Sequence, residues 1–227
     1  MYKRLSLPVL AMFLVFVLAP SAMAEQNVGR IYLPMSVADS EKLIGPPPAP
    51  DSEEHRTQMA IVLWLQKTRT PQQVAFVEKP LNLERFASLI SAELVDVDGR
   101  LLKATLDAII NEVRADYDAL KAIYGEPRPF QVDKRVRPVG DPRPVASYPS
   151  GHATRAMVYG KILSDLFPKH SDDLMALAVD IGYGRVIAGV HYPDDVVAGQ
   201  KLGAAYADAI LAQPTYAEAK RRILGEE

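Results

Sequence analysis

The chain has 227 residues, a formal net charge of −2 and no cysteine. That length suits one domain with a full hydrophobic core, and the slightly acidic balance gives no basis for binding nucleic acid or an anionic membrane. The missing cysteine excludes disulfides, cysteine nucleophiles and thiolate metal sites together.

At the start of the chain, Lys3 and Arg4 precede the apolar run LSLPVLAMFLVFVLA, and Ala22 and Ala24 occupy the two positions a signal peptidase reads. The pattern predicts a secretory signal peptide over residues 1–24. Residues 25–227 are then expected to form one soluble domain in the periplasm, with no stable membrane insertion. An uncleaved anchor is the competing reading, and Pro20 with the small-residue site argues against it. Ile31 to Pro50 reads as irregular, its proline run a stiff lead-in. Asp51 or Ser52 caps a helix that continues to Arg69, and Thr70-Pro71 opens another that Pro80 breaks. LERFASLISAEL, residues 83–94, reads as a third helix.

Gly99 closes a turn before a long helix, Leu101 to Tyr124. Its apolar residues Leu102, Leu106, Ile109, Ile110, Val113, Tyr117, Leu120 and Tyr124 recur at helical spacing, and Gly125 and Pro127 stop it. Arg128 to Pro149 is a Pro-rich loop of about twenty residues, a length usually kept for function or disorder. Helices follow near Gly151 to Phe167, Ser171 to Ala188, Asp194 to Ala212 and Tyr216 to Leu224. Strand signals are almost absent and no internal repeat is present. The expected fold is a compact all-α domain.

Four histidines are present, and His55 and His170 lie in polar contexts that carry no signal. His152 follows Pro149-Ser150-Gly151 at a helix start, one turn before Ala156 and on the face that holds Tyr159, Leu163 and Phe167. It therefore points inward where unpaired N–H groups and the helix dipole favour an anion. Equally, Ser150 can cap the helix while His152 simply packs. Arg185 falls on the apolar stripe Leu174, Leu177, Ala178, Ile181 and Ala188. A buried guanidinium is costly without an anion, so it implies a carboxylate or a bound oxyanion. Lys121, at the edge of the stripe of the long helix, is either a snorkelling surface lysine or another cation of the same site. Asp195, four residues past His191, can accept that ring's second N–H; Asp194 and Asp195 also suit a helix cap and first turn.

Lys121-x6-Arg128-Pro129, Pro149-Ser150-Gly151-His152 and Arg185-x5-His191-x3-Asp195 together resemble the three-part signature of the type 2 phosphatidic acid phosphatase superfamily. Three Arg-Pro pairs occur in the loop region, but only Arg128 has a lysine seven residues before it. The corresponding positions for Arg137 and Arg143 are Phe130 and Val136, which leaves those two arginines as loop stiffening. Within the superfamily the chain is most similar to the class A bacterial nonspecific acid phosphatases. The signal peptide, the size, GPPPAPDSEE before the first helix and RVIAGVHYPDDVVAGQKLGAAY carry that likeness. Two departures stand out: Gly184 precedes Arg185 where the signature usually has serine, and no cysteine is present where relatives would carry a disulfide.

The resemblance implies an all-α helical fold of the kind shared with the vanadium haloperoxidases. It also implies hydrolysis of small-molecule phosphomonoesters, with phosphotransfer as a side activity. Lys121, Arg128 and Arg185 would neutralise the three non-bridging phosphate oxygens, with the Ser150 hydroxyl and the Gly151 N–H as further donors. His191, held by Asp195, would attack phosphorus to form a phosphohistidine. His152 would protonate the leaving group and then activate water, which favours mildly acidic pH. No metal and no cofactor are expected, because the three cations supply the charge, and homo-oligomerisation is left open. Two other readings use the same anion pocket: a vanadium-dependent haloperoxidase and a non-catalytic periplasmic phosphate-binding protein. Integral-membrane lipid phosphatases carry the same blocks between spanning helices, whereas the intervening segments here are polar or amphipathic.

Overall fold

The computed structural model describes residues 29–140 and 142–226, so the expected signal peptide lies outside the described residues. Ten α-helices are described: α1 Val37–Ile44, α2 Glu53–Thr68, α3 Pro71–Glu78, α4 Leu83–Ala87, α5 Gly99–Tyr124, α6 Pro129–Val132, α7 Gly151–Leu166, α8 Ser171–Ile187, α9 Pro193–Leu211 and α10 Pro214–Leu224. Single 3₁₀ turns cover Glu93–Val95 and Pro168–His170, and no strand occurs among the described residues. The domain is all-α.

Local chemistry accounts for most of the starts. Ser52 accepts from His55 N at 3.1 Å to cap α2, and Asp98 accepts from Leu101 N at 2.9 Å to cap α5. Thr70 and Gln73 form a capping box on α3, with Pro71 in the first turn. At the far end of α5, Gly125 takes the left-handed conformation at φ 61° and closes the helix.

Three stretches differ from expectation, the shortest being the single turn α6 within the expected Arg128–Pro149 loop, where Pro129 starts the helix. Residues 37–44 form α1 instead of an irregular lead-in. The segment before that helix is held by Glu112 of α5, whose carboxylate accepts from the backbone N–H groups of Ile31, Tyr32 and Leu33 at 2.7–3.0 Å. Ser36 then caps α1 through Asp39 N at 3.1 Å. Residues 83–94 do not continue as one helix. After Ala87 the N–H groups of Leu89, Ile90 and Glu93 bond three residues back, and the chain turns so that Phe86 and Ile90 both reach the core. Glu93 is pinned at the end of that turn by His170 at 2.7 Å.

α7 is the middle of the molecule. It packs most extensively on α8 and α9 and also on α5, and it buries residues on every side, including Ala153, Ala156, Val158, Tyr159, Ile162 and Leu163. The α5 stripe predicted from spacing faces this core from Leu102 to Leu120, with Tyr124 half-buried. A second tie joins α1, α5 and α9: buried Asp116 accepts from Arg30 at 2.9 Å and from the Tyr206 hydroxyl, which also reaches Ser40.

The α7–α9 contact decides where the functional loops sit. Gly199 lies so close to α7 that a Cβ there would stand 2.5 Å from the Ser150 carbonyl oxygen and 3.0 Å from the Ala153 Cβ. An alanine would have to push backbone aside rather than a flexible side chain. Gly199→Ala is expected to cost about 1–3 kcal/mol of stability by urea unfolding. Because the displaced backbone is that of Ser150, activity should fall further than the stability loss accounts for.

Candidate active site

The sequence blocks meet at one end of the bundle. Lys121 comes from the last turn of α5, Arg128 from the N-cap of α6, Ser150, Gly151 and His152 from the start of α7, Arg185 from the last turn of α8, and His191 and Asp195 from the entry to α9. Lys121, Arg128, Gly151 and His152 line one cavity lobe of about 440 Å³; His152 and Arg185 line an adjoining lobe of about 560 Å³. Five of the eight expected site residues line these lobes, while Ser150, His191 and Asp195 are buried at the same end of the bundle. His55 and His170 are not among them: His55 packs half-buried against Tyr192 with ring centroids 4.8 Å apart, and His170 pairs with Glu93.

The Arg128–Pro149 loop acts as scaffold for the cations. Lys121 Nζ donates to the carbonyls of Ala146 and Ser147, both at 2.7 Å. Arg128 Nε donates to Val145 O at 2.8 Å and Nη1 to Val190 O at 2.9 Å. These bonds fix the head groups of two buried cations using backbone oxygens, which carry no full negative charge. Ser150 is both cap and donor: its hydroxyl accepts from Ala153 N at 3.4 Å, which leaves the O–H proton to donate elsewhere. The cap forms, and His152 lines the cavity. Gly184 has a packing reason as well. A Cβ there would meet Val77 Cγ1 of α3 at 2.9 Å, so the space that a serine would need is filled by that side chain.

His191 and Asp195 are both 1% exposed. His191 Nδ1 lies 2.9 Å from Asp195 Oδ2, and the same oxygen accepts from Tyr192 N at 2.8 Å and from the Ser147 hydroxyl. With a carboxylate facing it, Nδ1 carries the hydrogen and Nε2 keeps its lone pair. Burial pushes the His191 pKa down to about 3 against the opposing pull of Asp195, with Arg128 and Lys121 adding to the fall. The ring is therefore neutral at ordinary pH. Burial alone would raise Asp195, but its hydrogen bond from His191 and the bond from Ser147 hold it below the usual carboxylate range. Lys121 falls to about 7, first through burial and then through Arg128. His152 lies well below its ordinary value through burial, then Arg185, Arg155, His191 and Arg143. Burial is the largest cause of each fall in Lys121, His152 and His191, and neighbouring cations deepen it.

Sequence reasoning missed Ser147, Glu126, Arg155 and Arg143. Ser147 and Glu126 carry no pattern signal, because their importance comes only from long-range contact. Glu126 is buried between the α5 cap and Arg128, and its backbone carbonyl accepts from Ser147 N at 2.7 Å. Its carboxyl group lies near Asp195, and two carboxyl groups can bond each other only by sharing a proton. Glu126 Oε2 and Asp195 Oδ1 are the two oxygens here that no other donor reaches. Burial first, and the Asp195 charge second, raise Glu126 to about 9, so it holds that proton. Arg143, which spacing assigned to loop stiffening, lines both cavity lobes instead. Arg137 stays with the loop, donating to Lys134 O and, through its backbone N–H, to Gln66.

Residues 101–219, just over half of the chain, match the family model of the PAP2 superfamily, and the chain belongs to that superfamily. The membership supports phosphatase activity. Among relatives, a lipid A 1-phosphatase of Rhizobium johnstonii is 41% identical over 58 residues, 26% of this chain and 24% of that protein. A non-specific acid phosphatase of Salmonella typhimurium is 34% identical over 88 residues, 37% of this chain and 35% of that protein. An acid phosphatase of Zymomonas mobilis subsp. mobilis is 29% identical over 112 residues, 46% and 42% of the two chains. The chain thus matches well under half the length of these relatives. Among solved structures, a transmembrane PAP2-type phosphatidylglycerolphosphate phosphatase from Bacillus subtilis superposes with a TM-score of 0.57 at 18% identity, over 77% of this chain and 90% of that one. That likeness is one of fold.

The proton on Glu126 has a measurable signature. Between the ordinary carboxyl value near 4.5 and about 9, the folded state binds a proton that the unfolded state has released. Stability from this group therefore falls as pH rises through that window. Glu126→Gln offers an amide N–H to Asp195 and has nothing to titrate. Urea unfolding at pH 5, 7 and 9 should show the variant gaining on the wild type as pH rises. Parallel curves would mean that Glu126 is ionised in the folded protein.

Proposed function

We propose that this protein is an exported, periplasmic acid phosphatase that hydrolyses phosphomonoesters through a phosphohistidine, without a metal. The observation that carries the reading is the neutral His191, its Nδ1–H given to Asp195 and its Nε2 keeping a lone pair, with Arg128 and Lys121 near enough to lower its pKa. Relatives named acid phosphatase and lipid A 1-phosphatase support a phosphomonoester as substrate. Export rests on the pattern of residues 1–24, and the described residues contain no helix long and apolar enough to cross a membrane.

In this mechanism the phosphate dianion enters among the three cations, with the Ser150 hydroxyl and the Gly151 N–H donating to its oxygens. His191 Nε2 attacks phosphorus, the P–O ester bond breaks, and its electron pair leaves with the alcohol oxygen. Protonated His152 supplies that oxygen with a proton. Water, giving its proton to His152, then attacks phosphorus; the P–N bond breaks with its electron pair returning to His191 Nε2, and phosphate is freed. Lys121, Arg128 and Arg185 balance the charge that develops on the equatorial oxygens, the task a divalent cation performs in other phosphoryl-transfer sites. The depressed pKa of His152 sets the pH dependence: an acid that titrates below its ordinary value loses its proton early as pH rises, so turnover should decline from mildly acidic toward neutral pH. Phosphotransfer to an alcohol acceptor would use the same intermediate.

The test is hydrolysis of p-nitrophenyl phosphate with EDTA present, from pH 4 to 8. Turnover should persist in EDTA with an acidic optimum and fall on the order of 10⁴-fold or more in His191→Ala. Arg128→Ala should lose on the order of 10²–10³-fold. Rapid acid-free quenching should trap label on the protein that is stable to alkali and labile to acid. A folded protein that binds vanadate yet turns nothing over would bring forward the haloperoxidase and binding-protein readings.

A further inference from the structure

Asp195 uses its two carboxylate oxygens unequally. Oδ2 accepts from His191 Nδ1, Tyr192 N and the Ser147 hydroxyl, whereas Oδ1 is buried and meets no donor among the described residues. Glu126 has a matching deficit: it is buried, and its Oε2 is also without a partner there. The backbone brings the two together. Glu126 follows Gly125, the left-handed cap of α5, and its carbonyl accepts from Ser147 N at 2.7 Å. Ser147 thus fixes the Glu126 main chain with its N–H and reaches Asp195 with its hydroxyl. Burial apart, the charge of Asp195 acts most strongly on the Glu126 carboxyl. Two ionised carboxylates enclosed together repel, and each bare oxygen is costly. One proton between them removes the repulsion and satisfies both oxygens. Asp195 already has three donors to its anion, so the proton belongs to Glu126.

We infer that Glu126 is a positioning residue: as a neutral acid it donates its proton to Asp195 Oδ1, and so holds that carboxylate with Oδ2 toward His191 Nδ1–H. The inference rests on the phosphatase reading above and adds a control by pH to it. Attack of Nε2 on phosphorus leaves positive charge on the ring, which one well-oriented anion beside Nδ1 stabilises. Without its proton, Glu126 places a second anion beside Asp195, strips Oδ1 of its donor and frees the carboxylate to turn. The groups facing Glu126 set where this happens. Burial, then Asp195 and Asp194 at the entry to α9, raise its pKa to about 9 against the pull of Lys121 on α5. Tyr148 and Tyr192 lie in its field as well, and burial first of all keeps both phenols above their ordinary value, hence protonated.

The test compares Glu126→Gln with Glu126→Ala in the full chain, on p-nitrophenyl phosphate between pH 5 and 9.5. Glutamine keeps an N–H donor for Asp195 and cannot titrate; alanine offers no donor. Glu126→Ala should lose about ten- to a hundredfold in kcat with KM changed less than about threefold, and Glu126→Gln should recover most of that loss. Deprotonation of His152 slows wild type and variant alike, so the ratio of kcat in Glu126→Gln to kcat in the wild type isolates Glu126. That ratio should be flat from pH 5 to 7 and rise at least about twofold by pH 9.5, because only the wild type loses a proton near 9. In proton NMR, the His191 N–H resonance, identified by its absence in His191→Ala, should move near pH 9 in the wild type and stay fixed in Glu126→Gln. A flat ratio with normal wild-type turnover overturns the inference and leaves the phosphatase reading standing. Undiminished kcat in Glu126→Ala also overturns it. So does equal loss in both variants, since the site would then need an ionised carboxylate. If Glu126→Ala fails to fold, the isosteric Glu126→Gln decides through the ratio alone. No turnover in the wild type removes the phosphatase reading and this role with it.

Discussion

Asp195 is the residue on which the arrangement depends, because its side chain and its backbone serve different blocks of the site. The carboxylate takes the Nδ1–H of His191, the N–H of Tyr192 and the hydroxyl of Ser147, while its carbonyl accepts from Ser150 N at 2.9 Å and so anchors the start of α7. Ser147 in turn ties back to the carbonyl of Glu126, two residues before Arg128. The three sequence blocks are therefore one hydrogen-bonded unit, with a buried acid at its centre. A carboxylate that accepts this many bonds is stable in the interior, and one stripped of them would not be. The same bonds orient the imidazole, so the support of the fold and the aim of the proposed nucleophile are one structural fact.

Packing delivers these pieces to the right place. α7 buries residues on every side, which puts its N-terminus inside the protein, where Gly151 and His152 line the cavity. Gly199 lets α9 approach until Asp195 and Ser150 are in hydrogen-bond reach. Val77 of α3 closes over Gly184, so the last turn of α8 is covered where other members of the resembled family place a hydroxyl. In each case the small residue is set by a neighbour distant in the chain.

Much of this was legible from residue order. The long α5 stripe, the capped starts of α2 and α3, and the site residues from Lys121 to Asp195 follow from periodicity, cap chemistry and spacing, which are local properties. Other features depend on partners far along the chain. α1 forms after a segment whose backbone is satisfied by Glu112, some eighty residues away. The helix expected over residues 83–94 breaks because Phe86 and Ile90 both turn to the core. Glu126 gains its meaning only from Asp195 across the fold. Arg155 is the instructive miss: the reasoning that singled out Arg185, a cation on an apolar helix face, applies equally to it, but its position lay outside the three blocks and drew no attention.

The cavity groups respond together to an anion. Lys121 is lowered to about 7, His191 to about 3 and His152 below its ordinary value, in each case by burial first, with nearby cations adding to it. An anion placed among them reverses the second cause and raises every one of these groups. The protein with an anion bound thus holds more protons than the empty one, and by linkage its affinity for that anion must weaken as pH rises. Lys121 is the group whose titration near neutrality makes the effect largest there. His152 gains from the same event in a second way, since the anion that raises its pKa is also the group whose leaving oxygen needs its proton. Filling the site with an anion therefore raises the groups that neighbouring cations had lowered, His152 among them.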